Sequence, residues 1–392
     1  MIYGPMNQCN DESMNQSPHG RPTWAEIDLD ALAHNLHVIQ EHLGPEVKVL
    51  AAVKANAYGH GAVQCARRLQ KEGVDWFGIA LPEEGAELRQ AGITKPILCL
   101  AGFWEGQERA CLQQKLTPVV YRLDMIEALD NAAREAGLVA DVHVKIDTGM
   151  GRLGVPSEEV AEFSTALKRF QSVRVAGLMT HLAAADELSR EDFTNNQLER
   201  FRDAVKVFRE RGFAPDYIHA ANSAATFAFP EARGNLVRPG GALYGFVRDV
   251  LPENIAAPAL KPVMSLRTRI MLLKKVGRGQ RLGYGCTFET TRESLIATVP
   301  IGYDDGYRRV LSNRGRVIVR GVFAPVVGRV SMDLTLVDVT DVLGVSIDDE
   351  VTLLGRSGDL EISAEDLAER AGTISYEVTC GIGPRVPRIY KD

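Results

Sequence analysis

The sequence predicts an α/β protein, a (β/α)8 TIM-type barrel followed by a mainly β C-terminal domain. Three observations carry this. Between Trp24 and Gly245, eight β-rich apolar runs alternate with segments whose apolar residues recur three or four apart, the pattern of parallel strands wrapped by outer helices. Eight such units in about 220 residues match a closed barrel, and no GxGxxG follows the first run to support a doubly wound sheet. From Ala256 onward, short β-branched runs separated by glycine replace the alternation.

Taken in order, residues 1–22 are polar, carry Pro18, Gly20 and Pro22, and lack a basic start or an apolar stretch. They are expected to form a disordered tail without a targeting role. The barrel is placed at 23–255. Its expected strands are Val47–Val53, Trp76–Leu81, Pro96–Ala101, Thr117–Tyr121, Val142–Ile146, Val173–Thr180, Tyr217–Ala220 and Asn235–Val237. Most precede a helical pattern, as in Pro82–Ala91 and Met125–Ala136. Pro258 and Pro262 mark a linker into a second domain at 256–392. Its expected strands are Ser265–Val276, Leu295–Val299, Arg316–Val319, Pro325–Val330, Leu334–Val339 and Glu350–Leu354, with one helix at Ser363–Ala371 that Ser363 can cap.

The 392 residues are 45% apolar and 24% charged, the balance of a globular protein. A formal charge of −6 gives no electrostatic reason to expect nucleic acid, and no run approaches the length of a membrane span. Six cysteines without a CxxC pair suggest neither a metal site nor a disulfide framework, and fit the cytoplasm.

Chemistry concentrates where strands end. Lys54 follows the first run and enters the loop ANAYGHG at 55–61. An amine held at the mouth of a buried strand loses solvation and can act as a Schiff-base nucleophile, where a lysine that merely ends a strand would not. Arg152 follows the fifth run, His181 the sixth, Asn222 and Ser223 the seventh, and Arg238 and Gly240 the eighth. In a barrel these ends share one face, where barrel enzymes carry their chemistry and often bind phosphate.

Nine strings in order then resemble one family. They are VKANAYGHG (53–61), KIDTGMGRLG (145–154), THLAAAD (180–186), HAANSAA (219–225), RPGGALYG (238–245), LGYGCTF (282–288), PIGYDDGY (300–307), GRVSMD (328–333) and SYEVTCGIGPRVPR (375–388). Together they are similar to the bacterial alanine racemases. The resemblance implies a pyridoxal 5'-phosphate enzyme that interconverts L- and D-alanine for peptidoglycan synthesis. It also implies a homodimer with shared active sites, in which Lys54 holds the cofactor as an imine and serves as one base. Tyr284, reaching in from the partner chain, would be the second base, linked through His181 to Arg238. On that resemblance Arg238 would donate a hydrogen bond to the cofactor ring without giving up its proton, which would favour racemisation over transamination.

The same resemblance assigns cofactor contacts to Tyr58, His181, Asn222, Ser223, Gly240, Gly241 and Tyr376. It assigns the substrate carboxylate to Arg152 and the N–H of Met332, and the entrance to Tyr303. Lys145 matches a lysine that some members carry as a carbamate. Three alternatives remain: a broader racemase of small amino acids such as serine, a fold-related pyridoxal-phosphate decarboxylase, and a noncatalytic carrier of the cofactor. Arg238 argues against the second of these and the extra β domain against the third.

Overall fold

The computed structural model describes residues 20–253 and 255–392, so most of the expected tail (1–19) lies outside the described residues. The remainder of that tail is held by specific contacts. Arg21 makes a two-pronged pair with the fully buried Asp305, and the Pro22 carbonyl accepts from Thr268 Oγ1.

The chain forms two compact units. One comprises Asp28–Met264 with Ser363–Ile382. It holds eight parallel strands: β1 (Lys48–Ala52), β2 (Trp76–Ile79), β3 (Ile97–Cys99), β4 (Leu116–Val120), β5 (Ala140–Asp147), β6 (Val173–Met179), β7 (Tyr217–His219) and β8 (Leu236–Val237). All eight coincide with the apolar runs of the sequence. From β1 to β7 each strand pairs in parallel with the next, and β8 pairs with β1 through Leu236 opposite Lys48 and Val237 opposite Val49. The last gap, β7 to β8, is laced by Asn235. Its N–H donates to the Ile218 carbonyl at 3.2 Å and its Oδ1 accepts from the Ile218 N–H at 2.9 Å. A side chain thus replaces part of the ladder, leaving a nearly closed barrel.

The strands are short and apolar because both faces are covered. Leu50, Trp76, Leu98, Val119, Met179 and Leu236 cluster as a buried core. Helices Pro82–Gln90 and Leu123–Glu135 lie where the three-and-four periodicity expects them, and Asp28 caps helix Leu29–Leu43 by accepting from the Ala31 N–H. Among the described residues no helix is long and apolar enough to cross a membrane.

The second unit comprises Ser265–Ile362, Gly383–Lys391 and the described residues up to Ile27. Its main sheet runs Val322–Pro325, Arg316–Val319, Glu350–Ser357, Met264–Arg269, Thr23–Asp28, Arg388–Lys391. Both ends of the described chain therefore supply strands to it. Two expectations are corrected here. The run Ser265–Val276 is two strands, Met264–Arg269 and Leu272–Val276, which belong to different sheets. Of the run Pro325–Val330 only Pro325 belongs to a strand, as the last residue of Val322–Pro325, and Gly328 at φ +70° turns the chain out of extended geometry. Ser363 caps helix Ala364–Ala371 as expected, in a reciprocal box with Asp366.

Candidate active site

Side chains alternate across a strand, so Asp141, His143, Lys145 and Asp147 share one face of β5. This brings Lys145 toward Lys54, Arg152 and Arg238, whose charges all act on it, and the two arginines act on Lys54 as well. Burial, then the charge of Arg152, holds the Lys54 amine below its ordinary pKa. Lys145 is pushed down to about 8 by burial, with Arg152 and Arg238 contributing. Four cationic side chains around one barrel mouth suit an anionic ligand.

The segment after Lys54 is not an irregular loop. Ala55, Asn56, Ala57 and Tyr58 all have φ of 53–54°, one turn of left-handed helix built from residues other than glycine. Each costs about 1–2 kcal/mol relative to the right-handed form. The surroundings hold it: Glu84 accepts from the Ala55 N–H at 2.6 Å, and Asn56 Oδ1 accepts from the Ala62 N–H at 2.8 Å. Gly59 closes the turn at φ +86°, where a Cβ would sit 2.1 Å from the Thr379 carbonyl oxygen. Strain kept at this point sets the direction in which Tyr58 and Lys54 leave the backbone.

A second cluster lies after β7 and β8. Ser223 Oγ accepts from the N–H groups of Gly240 (2.8 Å) and Ala242 (3.3 Å). A Cβ on Gly240 would lie 2.5 Å from Tyr58 Oη, and one on Gly241 would lie 2.5 Å from Tyr376 Oη. Both phenols are held neutral by burial, which pushes their pKa up. Two phenols, one hydroxyl and backbone amides thus crowd a pair of bare glycines. Asn222 caps helix Ser223–Ala228 through the Ala225 N–H and so fixes Ser223.

Arg238 is buried, and both terminal nitrogens of its guanidinium are engaged. It donates to His219 Nδ1 (2.8 Å) and to the carbonyls of Thr180 (2.7 Å), Ala220 (2.9 Å) and His219 (3.1 Å). His181 Nδ1 lies 3.4 Å from the same guanidinium. Burial lowers Arg238 to about 9, and burial with Arg238 beside it carries His181 well below its ordinary value. His181 is therefore a neutral ring at neutral pH.

Residues 27–247 match the family model described as the alanine racemase N-terminal domain, and residues 263–390 match the C-terminal domain. The chain belongs to the alanine racemase family. It is similar to the alanine racemase of Geobacter sulfurreducens, 47% identical over 94% of this chain and 97% of that one. The relative from Halothermothrix orenii is 43% identical over 95% and 97%. Among solved structures, the alanine racemase of a D-cycloserine-producing Streptomyces lavendulae is 38% identical with a TM-score of 0.88, covering 95% and 97%. The alanine racemase of Bartonella henselae, solved with covalently bound pyridoxal phosphate, is 30% identical with a TM-score of 0.85, covering 94% and 99%.

For this alanine racemase family member, Lys54, Tyr58, Lys145, Arg152, His181, Asn222, Ser223, Arg238, Gly240, Gly241 and Tyr376 all fall in the barrel unit. Tyr284, Tyr303 and Met332 fall in the other unit, and each has an exposed side chain. There the Tyr303 N–H donates to the Ser331 carbonyl and the Asp304 N–H to the Met332 carbonyl. Arg385 bridges Asp304 and Asp333, tying the two loops together.

Several residues that shape the barrel mouth went unrecognised in the sequence. Glu84 also accepts from the N–H groups of Ala80 and Leu81, joining the ends of β1 and β2. Gln197, almost fully buried, donates to Thr148 Oγ1 and the His181 carbonyl and accepts from the Ala183 N–H. It couples the loops bearing Arg152 and His181. A glutamine on the apolar stripe of helix Glu191–Glu210 was the available signal.

Proposed function

We propose that this chain interconverts L- and D-alanine with pyridoxal 5'-phosphate and supplies D-alanine for peptidoglycan. The observation that carries the reading is the meeting of a lysine amine held below its ordinary pKa with an arginine that has hydrogen bonds to give and no proton to spare. The bare-glycine cradle at Gly240 and Gly241 fits a phosphate, and the cationic mouth fits its charge. When bound, the cofactor supplies the electron sink that lets the α-proton of an amino acid leave.

Lys54 carries the cofactor and its Nζ takes or returns the α-proton on one face. The partner subunit's Tyr284 does the same on the other face, in a homodimer with shared active sites. The 71% exposure of Tyr284 in a single chain supports that second role. His181 and Arg238 form the network that tunes the phenol. Ser223, Tyr58, Tyr376 and the Gly240 and Gly241 backbone hold the phosphate, and Asn222 orients Ser223. Arg152 and the Met332 N–H bind the substrate carboxylate, and Tyr303 narrows the entrance.

Lys145, at about pKa 8, has a reactive amine fraction near neutral pH. Addition of its nitrogen to carbon dioxide, with loss of a proton, makes a carbamate anion that orients Arg152. The five described cysteines are free thiols, which supports the cytoplasm as the compartment.

Incubating the purified protein with L-alanine and resolving the enantiomers by chiral chromatography tests the reaction. Borohydride reduction followed by peptide mass spectrometry tests the site, and a pyridoxyl group on any lysine other than Lys54 would refute it. Comparable turnover of serine would favour the broader racemase, and carbon dioxide release the decarboxylase.

A further inference from the structure

From Arg238 a line of three side chains, Arg238, His219 and His143, runs into the barrel interior. Arg238 Nη1 lies 2.8 Å from His219 Nδ1, and His219 Nε2 lies 2.8 Å from His143 Nδ1. Both rings are completely buried, and His143 Nε2 has no hydrogen-bond partner among the described residues. The place is shaped for the imidazole of His143. The register of β5 on β6 shifts between Val142 and His143, which sets His143 opposite Gly177. A Cβ on Gly177 would lie 2.6 Å from His143 Nδ1. Tyr217 stacks on the ring, and Trp76 tilts against it with centroids 5.6 Å apart.

The proton positions follow from one constraint: a guanidinium has donors and no acceptor. His219 Nδ1 must therefore accept. A second cation in contact with Arg238 in a dry core would be strongly disfavoured, so His219 is neutral and its single proton sits on Nε2. That proton is donated to His143 Nδ1, which leaves the proton of His143 on Nε2. Without an acceptor at residue 143, the His219 Nε2–H would be orphaned in the core. The ring could then recover a partner only by turning or by moving its proton to Nδ1, against Arg238.

We propose that His143 is a positioning residue that locks His219 as the Nε2–H tautomer and thereby holds the Arg238 guanidinium in its orientation at the barrel mouth. The proposal deepens the racemase reading and rests on it only for what Arg238 does there.

The test begins with 15N NMR of protein labelled at histidine, with His143→Asn used for assignment. Both His143 and His219 are expected as neutral Nε2–H tautomers at pH 7. An Nδ1–H tautomer or an imidazolium at either position would overturn the proposal, and the tautomers are read on the unmodified protein, the variant serving only to assign its signals. In the second arm, His143→Asn keeps an acceptor near Nδ1 and His143→Leu removes it. The leucine variant should lose about ten- to a hundredfold in kcat with little change in KM, the size expected for one orphaned buried donor. The asparagine variant should recover most of that loss. Equal rates for the two folded variants would also overturn the proposal. Failure of the racemase reading itself would appear separately, as unmodified protein that does not racemise alanine while its histidine tautomers remain as assigned.

Discussion

Asp249 Oδ2 accepts a hydrogen bond from the backbone N–H of Ser375 at 2.5 Å, across 126 positions of sequence. Ser375 opens helix Ser375–Cys380, whose own N-cap position is Ile374, a side chain that cannot accept. Asp249 supplies the missing cap. Its neighbours reinforce the joint: the Val247 N–H donates to Glu365 Oε1, and Arg248 donates to Ser363 Oγ and Asp366. The loop after β8 thus delivers Tyr376 to the Gly241 backbone.

Asp249→Ala should release that helix and loosen Tyr376. A lost cap costs about 0.5–2 kcal/mol, so the dissociation constant for pyridoxal phosphate should rise about two- to thirtyfold. Equilibrium dialysis of the apoprotein measures it, and unaltered affinity would dissociate Asp249 from the phosphate site.

Ser223→Ala leaves the N–H groups of Gly240 and Ala242 without the acceptor they have here. Cofactor-free protein should lose about 1–3 kcal/mol of stability. Added phosphate or pyridoxal phosphate offers replacement acceptors, so the deficit should shrink on loading. Urea denaturation with and without ligand checks this, and an equal deficit in both states would count against a phosphate at Ser223.

His143, His181 and His219 are all held neutral in the fold, chiefly by burial, with His143 at about 3. Unfolded, each takes up a proton near pH 6.5. Below that pH the unfolded chain binds more protons, so stability falls as pH falls. At pH 5 His143 alone contributes a loss of about 2 kcal/mol. Denaturation midpoints measured from pH 7.5 down to 5 should drop, less steeply in His143→Asn. A flat profile would mean that these rings are charged or exposed.

Tyr284→Phe should lower kcat/KM equally in both directions, because the two enantiomers have the same energy and the ratio must stay at unity. The asymmetry should appear in the α-deuterium isotope effect, which rises in the direction where Tyr284 removes the proton. Equal isotope effects in both directions would remove the support for two separate bases.

The sequence by itself determined the eight barrel strands, the β-rich second unit and the strand-end positions of Lys54, Arg152, His181, Ser223 and Arg238. These follow from short-range rules: apolar alternation marks which faces are covered, and a polar residue at the end of a buried strand stands at a mouth. The nine strings added Tyr58, Tyr284 and Tyr376, which no periodicity singles out. Tertiary structure alone decided that Ala55–Tyr58 turn left-handed, that Thr23–Asp28 joins the sheet of the second unit, and that Glu84, Gln197, Asp249, His219 and His143 support the mouth. Each of these depends on a partner far along the chain. The preference of a carboxylate, an amide or an imidazole for one hydrogen bond over another is settled only when closure of the barrel removes water as the competing partner.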